Sequence, residues 1–327
     1  MAKPSSAAPS VVDRMVALVP MKGALLQAGA RLPVGWRSYA ACRALTAISR
    51  RYPPDGGVLT SNMGIASGLR CRVSVRHPVA VFGRPDMLRG LRGPLALAAA
   101  LCEESDAFLD VGAGLGWFTF YVRARCRTLL PVYAFEPDPA RAERLIENIR
   151  ANGLRFVHVF NDAVGARDGD ESRHRVKTDT LVEGLAATFD QDTAAHGPSV
   201  TVRSLASLAG TLGFKAACAR VDVAGAEYQF LQGAGDAFAR VPFLLMAVQP
   251  PAHQRGFVPE LMSRGGYQAY YVDDYRLEPS DDGAHRAREG QSYWLFCRLS
   301  PDALGRRLAH TRLAIGSGEA RSVRRRP

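Results

Sequence analysis

The chain runs to 327 residues with 47% hydrophobic content and a formal net charge of +11. That length can bury a sizeable core and predicts one α/β domain of ordinary size with flanking pieces. The six cysteines (Cys42, Cys71, Cys102, Cys126, Cys218, Cys297) are scattered without a CxxC pair, which argues against a disulfide framework or a zinc site, and no run approaches the ~18 apolar residues that a bilayer span needs.

The charge is unevenly placed. Residues 1–96 hold 14 Lys/Arg against 3 Asp/Glu, and residues 306–327 hold 7 Arg against 1 Glu, so the stretch between them is net acidic. Basic ends can meet nucleic acid, an anionic membrane or an acidic partner, or they can simply be solvated. No long apolar run follows Met1, so a cytoplasmic protein is the default expectation.

In chain order, residues 1–56 read as a basic helical extension, broken at Pro20, Pro33 and Gly35. Over 57–102, the period-two pattern of Leu59, Met63, Ile65 and Leu69 to Val75 predicts a hairpin, and the Leu- and Ala-rich stretch Met87 to Cys102 predicts a lead-in helix. Residues 103–299 then alternate. Strands are expected at 107–111, 132–136, 156–160, 219–223 and 243–248, with helices at 117–125, 140–152 and 226–233. This alternation predicts a mostly parallel sheet with helices on both faces. Two late aromatic strands at 268–272 and 292–297, with no helix between them, predict an antiparallel edge hairpin. Residues 166–199 read as a polar insertion, either carrying substrate contacts or solvated. Residues 300–327 read as a flexible basic tail.

The chemistry concentrates at the ends of the early strands. Asp110-Val-Gly112-Ala113-Gly114-Leu-Gly116 follows an apolar strand and opens a helical pattern. Glycine lets the backbone approach a ligand there, and a helix start offers unpaired N–H groups. A dinucleotide fingerprint would read G-x-G-x-x-G; here the glycines are two apart, and the acid before the turn would repel a pyrophosphate but could pair with an ammonium. Glu136 ends the second strand 20 residues after Gly116, where a carboxylate can accept from both ribose hydroxyls, and Pro137 fixes the turn that follows. Asp162 and Ala163 follow the third strand, at a corner that borders an adenine in this topology: Asp162 can accept from the exocyclic amine, with the Ala163 N–H facing a ring nitrogen. Together these residues read as a site for S-adenosylmethionine.

These motifs, with Glu147-Asn-Ile-Arg-Ala-Asn-Gly153 and Val221-Asp222-Val-Ala224-Gly-Ala-Glu227, resemble the FkbM family of class I S-adenosylmethionine-dependent methyltransferases, from about Phe82 to Cys297. The resemblance implies a seven-stranded Rossmann-like sheet with the last strand inserted antiparallel. It also implies O-methylation of a hydroxyl on a saccharide or a secondary metabolite, so the expected partner is a small-molecule or glycan acceptor. The family pattern around the fourth strand usually reads Lys-Ile-Asp-Val-Glu-Gly-Ala-Glu; here Arg220 stands for the lysine and Ala224 for the first glutamate. Gly114 replaces a usual asparagine, Gln249 a frequent glutamate, and Ala206 a usual aspartate.

For the acceptor hydroxyl, Asp222 at the carboxyl end of the fourth strand is the candidate base or positioning group, with Glu227 in support. His158, His174 and His253 are alternative bases, and their spacing predicts no metal site. Two other readings stay open: an RNA methyltransferase, motivated by the basic ends, and a non-catalytic S-adenosylmethionine-binding protein, motivated by Ala224 and Gln249.

Overall fold

The computed structural model describes residues 58–61, 69, 71–74, 85–169, 175–177, 188–190, 200–249, 252, 256–280 and 292–316. The expected N-terminal helices, His174, His253 and the end of the basic tail lie outside these residues.

An antiparallel pair comes first, β1 (Val58–Ser61) with β2 (Cys71–Ser74). It is tied down from a distance: the Asn148 side chain accepts from the Arg72 N–H at 2.7 Å and donates to its carbonyl at 3.0 Å. Helix α1 (Pro85–Cys102) follows. Then come β3 (Ala107–Val111), α2 (Trp117–Arg125), β4 (Val132–Phe135), α3 (Pro139–Ala151) and β5 (Val157–Phe160). Asp138 caps α3 by accepting from the amides of Ala140 and Arg141, with Pro139 at the first helical position.

Two short parallel strands, β6 (Asp162–Val164) and β9 (Thr201–Arg203), close the base of the segment expected as a polar insertion. The described residues inside that segment form an antiparallel pair, β7 (Arg175–Lys177) with β8 (Thr188–Asp190). Next are α4 (Leu205–Leu212), β10 (Ala217–Val221), α5 (Glu227–Ala234), β11 (Phe243–Val248), α6 (Phe257–Gly265), β12 (Gln268–Asp273), β13 (Arg276–Ser280), β14 (Ser292–Cys297), α7 (Pro301–Leu308) and β15 (Ala314–Ile315).

The main sheet has nine strands in the order β15-β13-β12-β14-β11-β10-β3-β4-β5. Strands β10, β11, β3, β4 and β5 run parallel, and β14 is antiparallel to both its neighbours, β11 and β12. This is the mostly parallel α/β arrangement expected, with three differences. The sheet has two strands beyond seven, because β13 and β15 extend it past β12. The segment at 292–297 is an interior strand rather than half of an edge hairpin; its residues are almost all buried, and being apolar on both faces suits that place. Residues 301–315, expected within a flexible tail, form α7 and β15. Ser300 caps α7 at the Ala303 amide, and its Leu304 and Leu308 are buried against the sheet.

Period-two alternation divides the strand residues between two cores. Leu109 and Val111 of β3, with Ala219 and Val221 of β10, face one layer, which includes residues of α4, α5 and α6. Phe108 and Cys218 face the other, with residues of α1, α2 and α3. The described cysteines are all buried free thiols, and burial pushes Cys71 up to about 12.

Candidate functional site at the carboxyl edge of the sheet

The parallel strands deliver their carboxyl ends to one edge, where ligands gather in open α/β sheets. At the end of β3, the turn from Gly112 to Gly116 carries three left-handed glycines, with φ of 75°, 56° and 86°. They serve different ends. A Cβ on Gly112 would lie 2.0 Å from the Asp222 carbonyl oxygen, so this glycine lets the ends of β3 and β10 close together. A Cβ on Gly116 would lie 2.5 Å from Leu145 Cδ1 and 2.8 Å from Phe120, so this one seats α2 against α3. A Cβ on Gly114 would meet only the Gly112 carbonyl, at 3.9 Å. Of the three, Gly114 alone looks onto space, and space at that point is what a ligand needs. The Gly112 and Ala113 amides both donate to the Phe135 carbonyl at 2.9 Å, which fixes the turn on β4.

Glu136 stands just past β4 and is 2% exposed. Its Oε2 accepts from the Gly114 amide at 2.6 Å, and its Oε1 from the Asp138 amide at 3.0 Å. Burial pushes its pKa up, against the pull of the Arg141 charge and of the two amides. The Asn161 amide donates to the carbonyls of Glu136 and Pro137 at 2.9 and 3.1 Å and so holds the backbone that aims Glu136 at the glycines. Asp162 lies one residue on, in β6, where its Oδ2 accepts from Arg203 Nε at 2.9 Å. Ala163 sits beside it, half-buried and in register with Val202.

Asp110 turns inward. It is fully buried; its Oδ2 accepts from the Thr119 amide at 3.0 Å and hydroxyl at 2.7 Å, and its Oδ1 faces Arg220 Nη1 at 3.3 Å. Gly116, the residue before α2, has no side chain to cap the helix. The Asp110 carboxylate meets that first turn instead, from the strand below, where the helix dipole favours negative charge.

Arg220 is the centre of the other half. It is the register partner of Asp110 across β3 and β10, so the sheet's alternation puts the two on one face, and Asp222, two residues on, joins them. The guanidinium donates to the Gly112 carbonyl at 2.8 Å and to Asp222 Oδ2 at 2.6 Å, reaches the Tyr293 hydroxyl at 3.4 Å, and lies 4.6 Å from the centre of the Phe118 ring. Its Nε is buried with no hydrogen-bond partner among the described residues. Burial opposes the arginine's charge, but Tyr293, Asp222 and Asp110 hold its pKa above the ordinary value. Burial likewise pushes the Tyr293 hydroxyl up to about 12, against the pull of Arg220.

Asp222 lies one residue beyond the end of β10, with a side chain 1% exposed. Glu227 opens α5 and is 1% exposed; its Oε1 accepts from the Gly225 amide at 3.2 Å and the Gln249 amide at 3.3 Å. It therefore clamps the turn after β10 to the end of β11. Burial raises its pKa, and the neighbouring Asp222 charge adds to the rise. Ala224, inside this turn, has φ of +40°, a left-handed conformation that an L residue adopts only under restraint.

The structure thus brings Gly112, Gly114, Glu136 and Asp222 to one edge, and turns Asp110 and Glu227 into its braces. His158 lies elsewhere: it is exposed on edge strand β5, its ring stacked 5.4 Å from that of Tyr133. Thr119, Asn161 and Tyr293 were not singled out from the sequence. Tyr293 was findable in principle, because an antiparallel final strand must begin where the parallel ones finish.

Residues 110–269 match the family described as the methyltransferase FkbM domain. The chain carries an FkbM methyltransferase domain. The matched stretch begins at Asp110 in β3 and ends in β12, so it includes all the site residues above except Tyr293. Over 198 residues the chain is 27% identical to the hexuronic acid methyltransferase AglP of Haloferax volcanii, an alignment covering 59% of this chain and 76% of that protein. A solved FkbM methyltransferase from Methylobacillus flagellatus aligns at 13% identity with a TM-score of 0.41, over 68% of this chain, which spans about half (53%) of that structure. The TYW2 structure of M. jannaschii, solved in complex with AdoMet, aligns at 13% identity and a TM-score of 0.39, over 74% of this chain and 87% of that one. Among the described residues, no helix is long and apolar enough to cross a membrane.

Proposed function

We propose that the chain transfers a methyl group from S-adenosylmethionine to a hydroxyl of a saccharide or a related small molecule. The observation that carries this reading is the meeting of Glu136 with Gly114 where β3 and β4 end. The residues there fit a nucleoside. Gly114 leaves its side of the turn open, and each Glu136 oxygen, holding one amide among the described residues, has a second lone-pair site for a ribose hydroxyl. Asp162 and Ala163 stand at the next corner, where the adenine would lie. The likeness to a hexuronic acid methyltransferase supports a sugar-like acceptor.

When bound, S-adenosylmethionine supplies an electrophilic methyl group for in-line attack by an acceptor oxygen. The chain's own part is to orient and to take a proton. Asp222 is the proposed proton acceptor, held in place by Arg220, and an acceptor hydroxyl has to displace the cover over its carboxylate to reach it. Glu227 positions that turn through the Gly225 and Gln249 amides. Asp110 keeps α2 and Arg220 in place. A non-catalytic cofactor-binding protein is the second reading, favoured by the sealed Asp222 carboxylate and by Ala224.

The test is calorimetry with S-adenosylmethionine and its demethylated product on the wild type, Glu136→Ala and Glu136→Gln. Losing the ribose hydrogen bonds is expected to weaken both ligands by about 1–3 kcal/mol. Unchanged affinity in both folded variants puts the nucleoside somewhere else. Asp222→Asn then separates the two readings. Cofactor binding retained with turnover lost on a uronic acid acceptor supports catalysis; cofactor binding without turnover even in the wild type, across sugar acceptors, supports the second reading.

A further inference from the structure

Beyond the stretch that matches the FkbM domain, the last strands border an open recess of about 530 Å³ lined by Asp273, Asp274, Tyr275, Arg276, Arg312, Ala314 and Ile315. Its position follows from topology. Strand β12 ends at Asp273, β13 begins at Arg276, and β15, parallel to β13, begins at Ala314. Strand β12 runs parallel to β11, since both are antiparallel to β14. The recess therefore opens at the same carboxyl edge as Asp222. Three strand steps, β10 to β11 to β14 to β12, separate the two places, and at ~4.8 Å per step that is roughly 14 Å, rising to roughly 24 Å at β15.

The walls are built rather than incidental. A Cβ on Gly93 of α1 would lie 1.2 Å from the Asp274 carbonyl oxygen, so the β12–β13 turn sits in a notch that only glycine leaves. Asp274 is held at φ of +51°, and its Oδ1 is sealed in without a hydrogen-bond partner among the described residues. The Ala314 amide donates to the Tyr275 carbonyl at 2.9 Å and the Gly316 amide to the Leu277 carbonyl at 2.6 Å, fixing β15 beside β13.

The chemistry is mixed. Two arginines alone would take any anion, and two aspartates alone a cation. Planar guanidinium donors and carboxylate acceptors on one lining, with Tyr275 among them, suit a group that presents both a carboxylate and hydroxyls. Arg276 also approaches Glu278 at 3.6 Å, with its side chain half in solvent, an exposed pair that a ligand carboxylate can replace at little loss.

We propose that this recess binds an acidic sugar unit of the acceptor, at a distance from the hydroxyl that is methylated. The inference rests on the saccharide reading above and extends it: one ring cannot touch both Asp222 and Arg312, so the acceptor is a chain of sugars rather than a free monosaccharide. Binding energy from the remote unit then orients the reacting one.

The test uses the full chain and three probes, D-glucuronate, D-glucose and inorganic phosphate, measured by ligand-observed NMR titration on the wild type, Arg276→Ala/Arg312→Ala and Arg276→Lys/Arg312→Lys. Glucuronate is expected to bind at least tenfold more tightly than glucose or phosphate. That preference should fall at least tenfold in the alanine variant and partly in the lysine variant, with thermal midpoint and S-adenosylmethionine affinity unchanged in both. Glucuronate binding no tighter than glucose, an equal preference for phosphate, or full retention in the alanine variant overturns the proposal. Failure of the methyl-transfer reading looks different: S-adenosylmethionine does not bind the wild type, whatever the sugars do.

Discussion

The two halves of the carboxyl edge are made by different means. On the β3–β4 side, the site is backbone: three left-handed glycines, two amides on the Phe135 carbonyl, and one carboxylate reaching back to a glycine N–H. On the β10–β11 side it is side chains: Arg220 spanning Asp110, Asp222, the Gly112 carbonyl and Tyr293, with Glu227 bracing the turn. A backbone cradle tolerates almost no change in the residue that makes it but asks little of its neighbours. A buried ion cluster depends on every member, because removing one leaves the others charged, desolvated and uncompensated. The first suits a ligand of fixed shape such as a nucleoside. The second allows a different acceptor to be met with few changes.

The largest effect is expected from Arg220→Met, which leaves Asp110 and Asp222 buried without their cation; about 3–5 kcal/mol of stability should be lost, read from urea unfolding. Near-wild-type stability would mean the cluster is incidental to the fold. Gly112→Ala and Gly116→Ala come next. Each places a methyl group inside an occupied contact at positive φ, so losses of about 3 kcal/mol are expected. Gly114→Ala should lose only about 1 kcal/mol, the backbone penalty alone, while weakening S-adenosylmethionine binding more than stability. A Gly114 variant as unstable as the other two would erase the division of labour among the glycines.

A smaller effect separates the carboxylates by pH. Burial raises the folded-state pKa of Glu136 above its unfolded value. Its neutral form therefore favours folding: that contribution is complete below the ordinary glutamate pKa and is lost as pH rises through the raised one. The stability of Glu136→Gln relative to wild type should accordingly be greatest near neutral pH and shrink as pH falls toward the ordinary glutamate range, in paired thermal scans. A constant difference would indicate that Glu136 is not desolvated in the folded protein. The smallest effect should come from Asp162→Ala. Its partner Arg203 is 43% exposed, and such a pair contributes less than about 1 kcal/mol.

Much of the β3–β4 half was legible because its signals are local. A strand running into Gly112, Gly114 and Gly116 can be read from a short window, and so can an acid at the end of the next strand. What that window could not give was direction. Asp110 was expected to face the ligand's amino group, yet it caps α2 through Thr119 and pairs with Arg220, a residue 110 positions away. Glu227 was expected to support Asp222 as a catalytic neighbour; its carboxylate turns instead to two backbone amides. The strand ending before Asp222 covers residues 217–221 rather than 219–223, because its pairing with β3 sets its limits and its own apolar pattern does not.

The alternation of strand and helix from β3 to β5, the glycine turn and the acid after β4 were determined by the sequence alone, since propensity, period and turn chemistry act over a few residues. The ninefold sheet, the interior place of β14, the folding of residues 301–315 onto the edge and the Arg220 cluster were decided only in the tertiary structure. Each depends on which strands become neighbours, and that is fixed by burying apolar faces across the whole domain, where residues far apart in the chain compete for the same partners.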